Sequence, residues 1–100
     1  MIHTVNKSPY ERNAFDSCLK HAVKGSAILL YEDGVYAAVK GCTAAARLAD
    51  AVADHPVFVL GPDLKARGMD PANVVDGVRV VDYGDFVDLV VEHGTVQAWL

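Results

Sequence analysis

Apolar positions along the chain follow two rhythms. "SAILLY" (26–31) and "VFVL" (57–60) are short, unbroken apolar runs, the pattern of strands buried on both faces. "IHTV" (2–5), "VRVVD" (78–82) and "TVQAWL" (95–100) are weaker strand candidates. Between them the spacing becomes helical. Tyr10, Ala14, Phe15, Cys18, Leu19, Ala22 and Val23 share one face. "TAAARLADAVADH" (43–55), "GPDLKARG" (61–68) and "YGDFVDLVVEH" (83–93) supply three more helices, and "VYAAVKG" (35–41) a short irregular or helical piece.

Local signals sharpen these boundaries. Ser8, Pro9 and Glu11 have the spacing of a capping box, which predicts a first helix running from Pro9 to Lys24-Gly25. "EDG" reads as a turn after the second strand, Thr43 as the cap of the second helix, and Pro56 as its stop. Strands alternating with helices, the inner ones apolar throughout, define an α/β fold. The expectation is one small three-layer domain over residues 1–100, with a mostly parallel sheet of about five strands and helices on both faces.

Composition narrows the function classes. Hydrophobic residues make up 52% of the chain, an apolar share that points weakly to an obligate oligomer. Net charge is -4, with 9 basic residues scattered singly, so direct nucleic-acid binding lacks its electrostatic footprint. Apolar runs are too short to span a bilayer, and the start of the sequence has no secretory pattern. A cytoplasmic chain with no membrane contact is expected.

Candidate chemistry is sparse. No GxGxxG, P-loop or CxxC pair occurs, and no zinc-ligand spacing, so neither cofactor nor metal is expected. Ligands of open parallel sheets bind beyond the carboxyl ends of strands, where Asp33, Asp63, Asp82 and Asp85 lie; all four read as caps and turn formers. Lys65 and Arg67 read as a solvated face. The two cysteines are read as free thiols. Cys42, at the start of the second helix and near Lys40, is on physical grounds the better placed for a thiolate. Cys18 lies on the apolar face of the first helix, where a cysteine behaves as a small hydrophobe. His21, one turn on, is its one local activator candidate. Trp99 on the last strand either plugs the domain edge or anchors a partner.

"HTVNKSPYERNAFDSCL", "EDGVYAAVKG", "LGPDLKARG", "VVDYGDFVDL" and "VQAWL" together resemble the DsrH/TusB family of sulfur-relay proteins across nearly the whole chain. "SCL" and "VQAWL" look more like the DsrH branch, associated with sulfur oxidation, than the TusB branch of tRNA wobble uridine 2-thiolation. The resemblance implies a DsrE/DsrF-like fold and a place in a heterohexamer with DsrE/TusD-like and DsrF/TusC-like subunits. That complex passes persulfide sulfur to a DsrC/TusE-like carrier. The resemblance places the proposed sulfur-handling cysteine at Cys18 and gives Cys42 no role. The central cysteine of the DsrE/TusD paralogue falls near Leu60 or Gly61, where this chain has no thiol. Two roles stay open: a sulfurtransferase-complex subunit that carries persulfide on Cys18, and a structural subunit that only completes the complex. An unrelated small-ligand binder is the third possibility, disfavoured by the missing phosphate loop.

Overall fold

A computed structural model describes residues 1–100. The strands are β1 (Ile2–Val5), β2 (Ala27–Leu30), β3 (Val57–Leu60), β4 (Arg79–Val81) and β5 (Val96–Trp99). The helices are α1 (Ala14–His21), α2 (Ala45–Val52), α3 (Gly61–Ala66) and α4 (Tyr83–His93). Two 3-10 segments, Glu32–Ala38 and Pro71–Asn73, lie between them. All strand pairs are parallel, in the order β4-β3-β2-β1-β5. The α/β class, the parallel five-stranded sheet and helices on both faces match the sequence expectation.

The strand order explains which helix goes where. From β1 the chain steps in one direction to β2, β3 and β4, and crossovers of one hand put all their helices on one face. The step from β4 to β5 runs back across the sheet, so the same handedness sends α4 to the opposite face. The packing follows this division. Val5, Ile28, Leu30, Val57 and Val59 pack with Phe15 and Cys18 of α1, Leu48 of α2 and Leu64 of α3. Ile2, Ala27, Leu29 and Phe58 face the other way, against Phe86 and Leu89 of α4. One face is therefore thickly covered, and the other carries a single helix.

Three helices are shorter than the sequence predicts, α3 by only its last two residues. Ser8 uses its capping groups on an isolated turn: its Oγ accepts from the Tyr10 N–H at 3.2 Å, and its carbonyl from Glu11 and Arg12. The helix starts only at Ala14, after Asn13, so the capping box at Ser8, Pro9 and Glu11 does not open it, and Tyr10 is exposed. It ends at His21, before Gly25. Length supplies the reason. A four-residue strand spans about 13 Å and an eight-residue helix about 12 Å, so a helix from Pro9 to Lys24 would overhang the sheet it must cover. Likewise α2 starts after Ala44, not at a Thr43 cap. In contrast α4 has the predicted bounds, with a true capping box between Asp82 and Asp85 and Gly94 at its end.

Candidate functional site

At the carboxyl edge of the sheet, the segment after β2 is clamped to α3. Glu32 adopts a left-handed backbone, φ 48°, which costs a side-chain-bearing residue energy. Asp63 holds it there, its Oδ2 accepting the Glu32 N–H at 2.6 Å. Arg67 closes the clamp: Nε and Nη2 both lie 2.9 Å from Asp33 Oδ1, and Nη1 donates to the Asp63 carbonyl at 3.3 Å. Its side chain is only 23% exposed, so Arg67 is a structural tie and not part of a solvated face. Lys65 is exposed. Asp82 and Asp85 cap α4. Every loop acid singled out in the sequence thus has a backbone or ion-pair partner.

Position 61 is tight for any side chain. Gly61 follows Leu60 directly at the start of α3, and a Cβ there would sit 3.0 Å from Val80 Cγ1 and 3.3 Å from the Val81 carbonyl oxygen. Leu60 itself is 2% exposed.

The two thiols lie in different settings, and both are free. Cys18 is wholly enclosed between α1 and the sheet, and burial pushes its thiol up to about 12. Such a group is uncharged and unreactive at neutral pH while the surrounding packing is intact. Cys42 is half-buried and lies ahead of α2, whose first residue is Ala45. Its Sγ is 3.9 Å from the Ala37 carbonyl oxygen, so it meets an acceptor and not the unpaired N–H groups of a helix start. Lys40 pairs with Asp76 at 3.2 Å.

His21 is exposed, with Nδ1 2.8 Å from the Ser17 carbonyl oxygen, and its ring stacks on Trp99 at a centroid distance of 6.0 Å. Trp99 is half-buried, packs against the main core, and donates its indole N–H to His3 Nδ1 at 3.1 Å. The structure therefore brings His21 and Trp99 together beside α1, while Cys42 lies elsewhere, before α2.

Sequence reasoning missed two features. His3, 4% exposed on β1, was read only as part of an apolar strand. The other is the outward face of α4. Tyr83, Phe86, Val87, Val90 and Val91 line a wholly apolar shallow groove of about 280 Å³, with Val87 and Val91 62% and 76% exposed. Its signal was present in "YGDFVDLVVEH", whose apolar positions are too many for one buried stripe.

Known structures define the class first. The α/β fold is shared with the ychN protein from E. coli, which superimposes with TM-score 0.81 over 97% of both chains at 18% identity. MTH1491 from Methanobacterium thermoautotrophicum, titled a protein of unknown function, gives 0.73 over 97% of this chain and 96% of its own, at 17% identity. A family model described as "DsrH like protein" matches residues 7–96, and the chain belongs to that family. It is 41% identical over 100 residues to Protein TusB of Pectobacterium parmentieri, covering 99% of this chain and all of the relative. To Protein TusB of Escherichia coli K12 it is 36% identical over 101 residues, with the same coverage.

Proposed function

We propose that the chain is a subunit of a cytoplasmic sulfur-relay complex, assembled as a heterohexamer with DsrE/TusD-like and DsrF/TusC-like homologues and serving a DsrC/TusE-like carrier. The observation that carries this reading is the full-length relation to TusB proteins. Those names favour tRNA wobble uridine thiolation over sulfur oxidation as the pathway. A net charge of -4 argues against this chain gripping tRNA itself. The exposed apolar face of α4 supports assembly, because a face of this kind is covered in a stable complex.

Within that complex Cys18 is the candidate sulfur acceptor. The step is an exchange: Cys18 gives up its proton, its thiolate attacks the outer sulfur of a donor persulfide, the S–S bond breaks, and the donor leaves as a thiolate that takes up a proton. Cys18 then carries the S–SH group. His21 lies one turn away; its Nδ1 donates to the Ser17 carbonyl, which leaves Nε2 as the ring's proton acceptor. The alternative is a structural subunit, favoured by the complete enclosure of Cys18 and the missing thiol at Leu60 and Gly61.

Intact-mass analysis separates the two. The assembled complex is incubated with a persulfide donor, and the acceptor reading expects this chain to gain about 32 Da per sulfur atom, lost in Cys18→Ser. Loading unchanged in Cys18→Ser but lost in Cys42→Ser would move the role to Cys42. No mass gain in any form of the chain leaves the structural reading standing.

A further inference from the structure

An enclosed thiol can react only if something opens. The cover over Cys18 on the β1–β5 side includes an edge strand of the sheet. Helix α1 lies on β1 and β5. Of those two, β1 is buried along its whole length between neighbours on both sides, whereas β5 is an edge strand paired with β1 alone. Val96, Gln97 and Ala98 are exposed, and only Trp99 reaches inward, into the core cluster that contains Cys18.

Trp99 is held by two contacts, one to each element it bridges. Its N–H donates to His3 Nδ1 on β1, and its ring stacks on His21 of α1. His21 is one turn beyond Cys18, so this stack sits at the border of the thiol's enclosure.

Holding Trp99 leaves His3 incompletely satisfied. An indole only donates, so Nδ1 of His3 is the acceptor and Nε2 carries the proton of the neutral ring. That Nε2 is buried and has no partner. Water reaching it when β5 lifts would supply the missing bond, which favours a locally open state over a permanently shut one.

We infer that β5 is a releasable strap, latched by Trp99 on His3 and His21, whose opening at the Gly94 corner exposes Cys18 without unfolding the domain. Gly94 has φ 74° and no side chain to obstruct a change of direction, so the corner is where the backbone can turn once its hydrogen bonds to Val90 and His93 give way. The use of this opening in sulfur transfer rests on the acceptor reading of Cys18; the opening itself does not.

The test measures alkylation of Cys18 by N-ethylmaleimide in the full chain carrying Cys42→Ser, across a series of low urea concentrations. Trp99→Phe keeps a ring and loses the N–H, and should speed labelling about three- to tenfold. Trp99→Ala removes both contacts and should speed it further. In each case the rate should depend only weakly on urea, the mark of an opening that exposes little surface. Should Trp99→Ala fold poorly, Trp99→Phe carries the test alone. An unchanged rate in Trp99→Phe, or a urea dependence as steep as that of global unfolding, overturns the strap. Fast strap-dependent alkylation with no persulfide loading would keep the strap and remove the acceptor reading.

Discussion

Gly34 lies directly against the backbone of Val5: a Cβ at position 34 would come 2.2 Å from the Val5 carbonyl oxygen and 2.9 Å from its carbon. The segment after β2 thus crosses the end of β1 at backbone contact distance. That oxygen also accepts the Tyr31 N–H at 3.1 Å, so it cannot move aside without breaking a second bond. Gly34→Ala should cost about 3 kcal/mol or more through forced displacement of the two segments. Gly68→Ala is the control. A Cβ at Gly68 would meet nothing within 4 Å, and its φ of 71° limits the cost to about 1 kcal/mol of left-handed strain. Urea denaturation of both variants checks the difference, and equal losses would refute the close-contact account.

The Arg67 clamp depends on a fork and not just on charge. Arg67→Lys keeps the cation but cannot reach Asp33 Oδ1 with two nitrogens while also donating to the Asp63 carbonyl. A loss of about 1–2 kcal/mol is expected from Arg67→Lys. A double-mutant cycle with Asp33→Asn should show coupling of about 0.5 kcal/mol or more, and additive losses would mean the two side chains act independently.

Acid should weaken the fold through His3. Burial lowers its pKa from 6.5, with repulsion from His55 and from the Met1 amino group adding to the effect, and the Trp99 indole N–H donates to its Nδ1. The folded state therefore favours the neutral ring. Below pH 6.5 the unfolded chain takes up a proton that the folded chain refuses, so stability is full above 6.5 and falls as pH drops from there towards the folded-state pKa. Melting temperature measured across that window should decline, and His3→Gln, which cannot titrate, should flatten part of the slope.

Cys18 titrates in the opposite sense. Its thiol is raised from 9.0 to about 12, so its contribution is intact below pH 9 and is lost as pH rises towards the folded-state value. Placing a hydroxyl in the same closed site, Cys18→Ser, should cost about 1–3 kcal/mol. Cys42→Ser, at a half-buried position, should cost less than about 0.5 kcal/mol. Denaturation midpoints of the two serine variants give the comparison directly, and a larger loss for Cys42→Ser would reverse the assignment of core and surface.

Replacing Val87 and Val91 by serine should leave the melting temperature of the isolated chain almost unchanged, within the effect of about 0.5 kcal/mol usual for exposed sites. The same pair should abolish or weaken association with the two homologous subunits by at least tenfold, since each valine lies in the bare apolar groove of α4. Size-exclusion of the co-expressed complex reads this out, and normal assembly of the double variant would free α4 from any interface.

Much of the fold was legible because it rests on local chemistry. "VFVL" reads as a buried strand, and "YGDFVDLVVEH" before Gly94 gives α4 its observed bounds. The first helix was misjudged because capping chemistry is the same in a lone turn at Ser8 and at a real helix start. Only the length of the strands beneath decides between them. The candidate site was less visible. His3 and Trp99 are 96 positions apart, and their pairing depends on β5 lying beside β1, which no window of sequence reports. Arg67 and Asp33 meet for a similar reason, through the parallel pairing of β2 with β3.

The interior place of β1, between β2 and β5, carries a cost during synthesis. One of its neighbours, β2, follows closely, but the other, β5, is the last strand made. At about 5–20 residues per second, the interval between Val5 and Val96 leaves one backbone edge of β1 unpaired for roughly 5–20 s. During that interval the nascent chain displays the groups that β5 will later cover, and any extended segment nearby can take its place. In the proposed complex, homologous subunits would be the nearest source of such segments. The timing of their synthesis thus bears on whether each chain closes its own sheet before it meets the others.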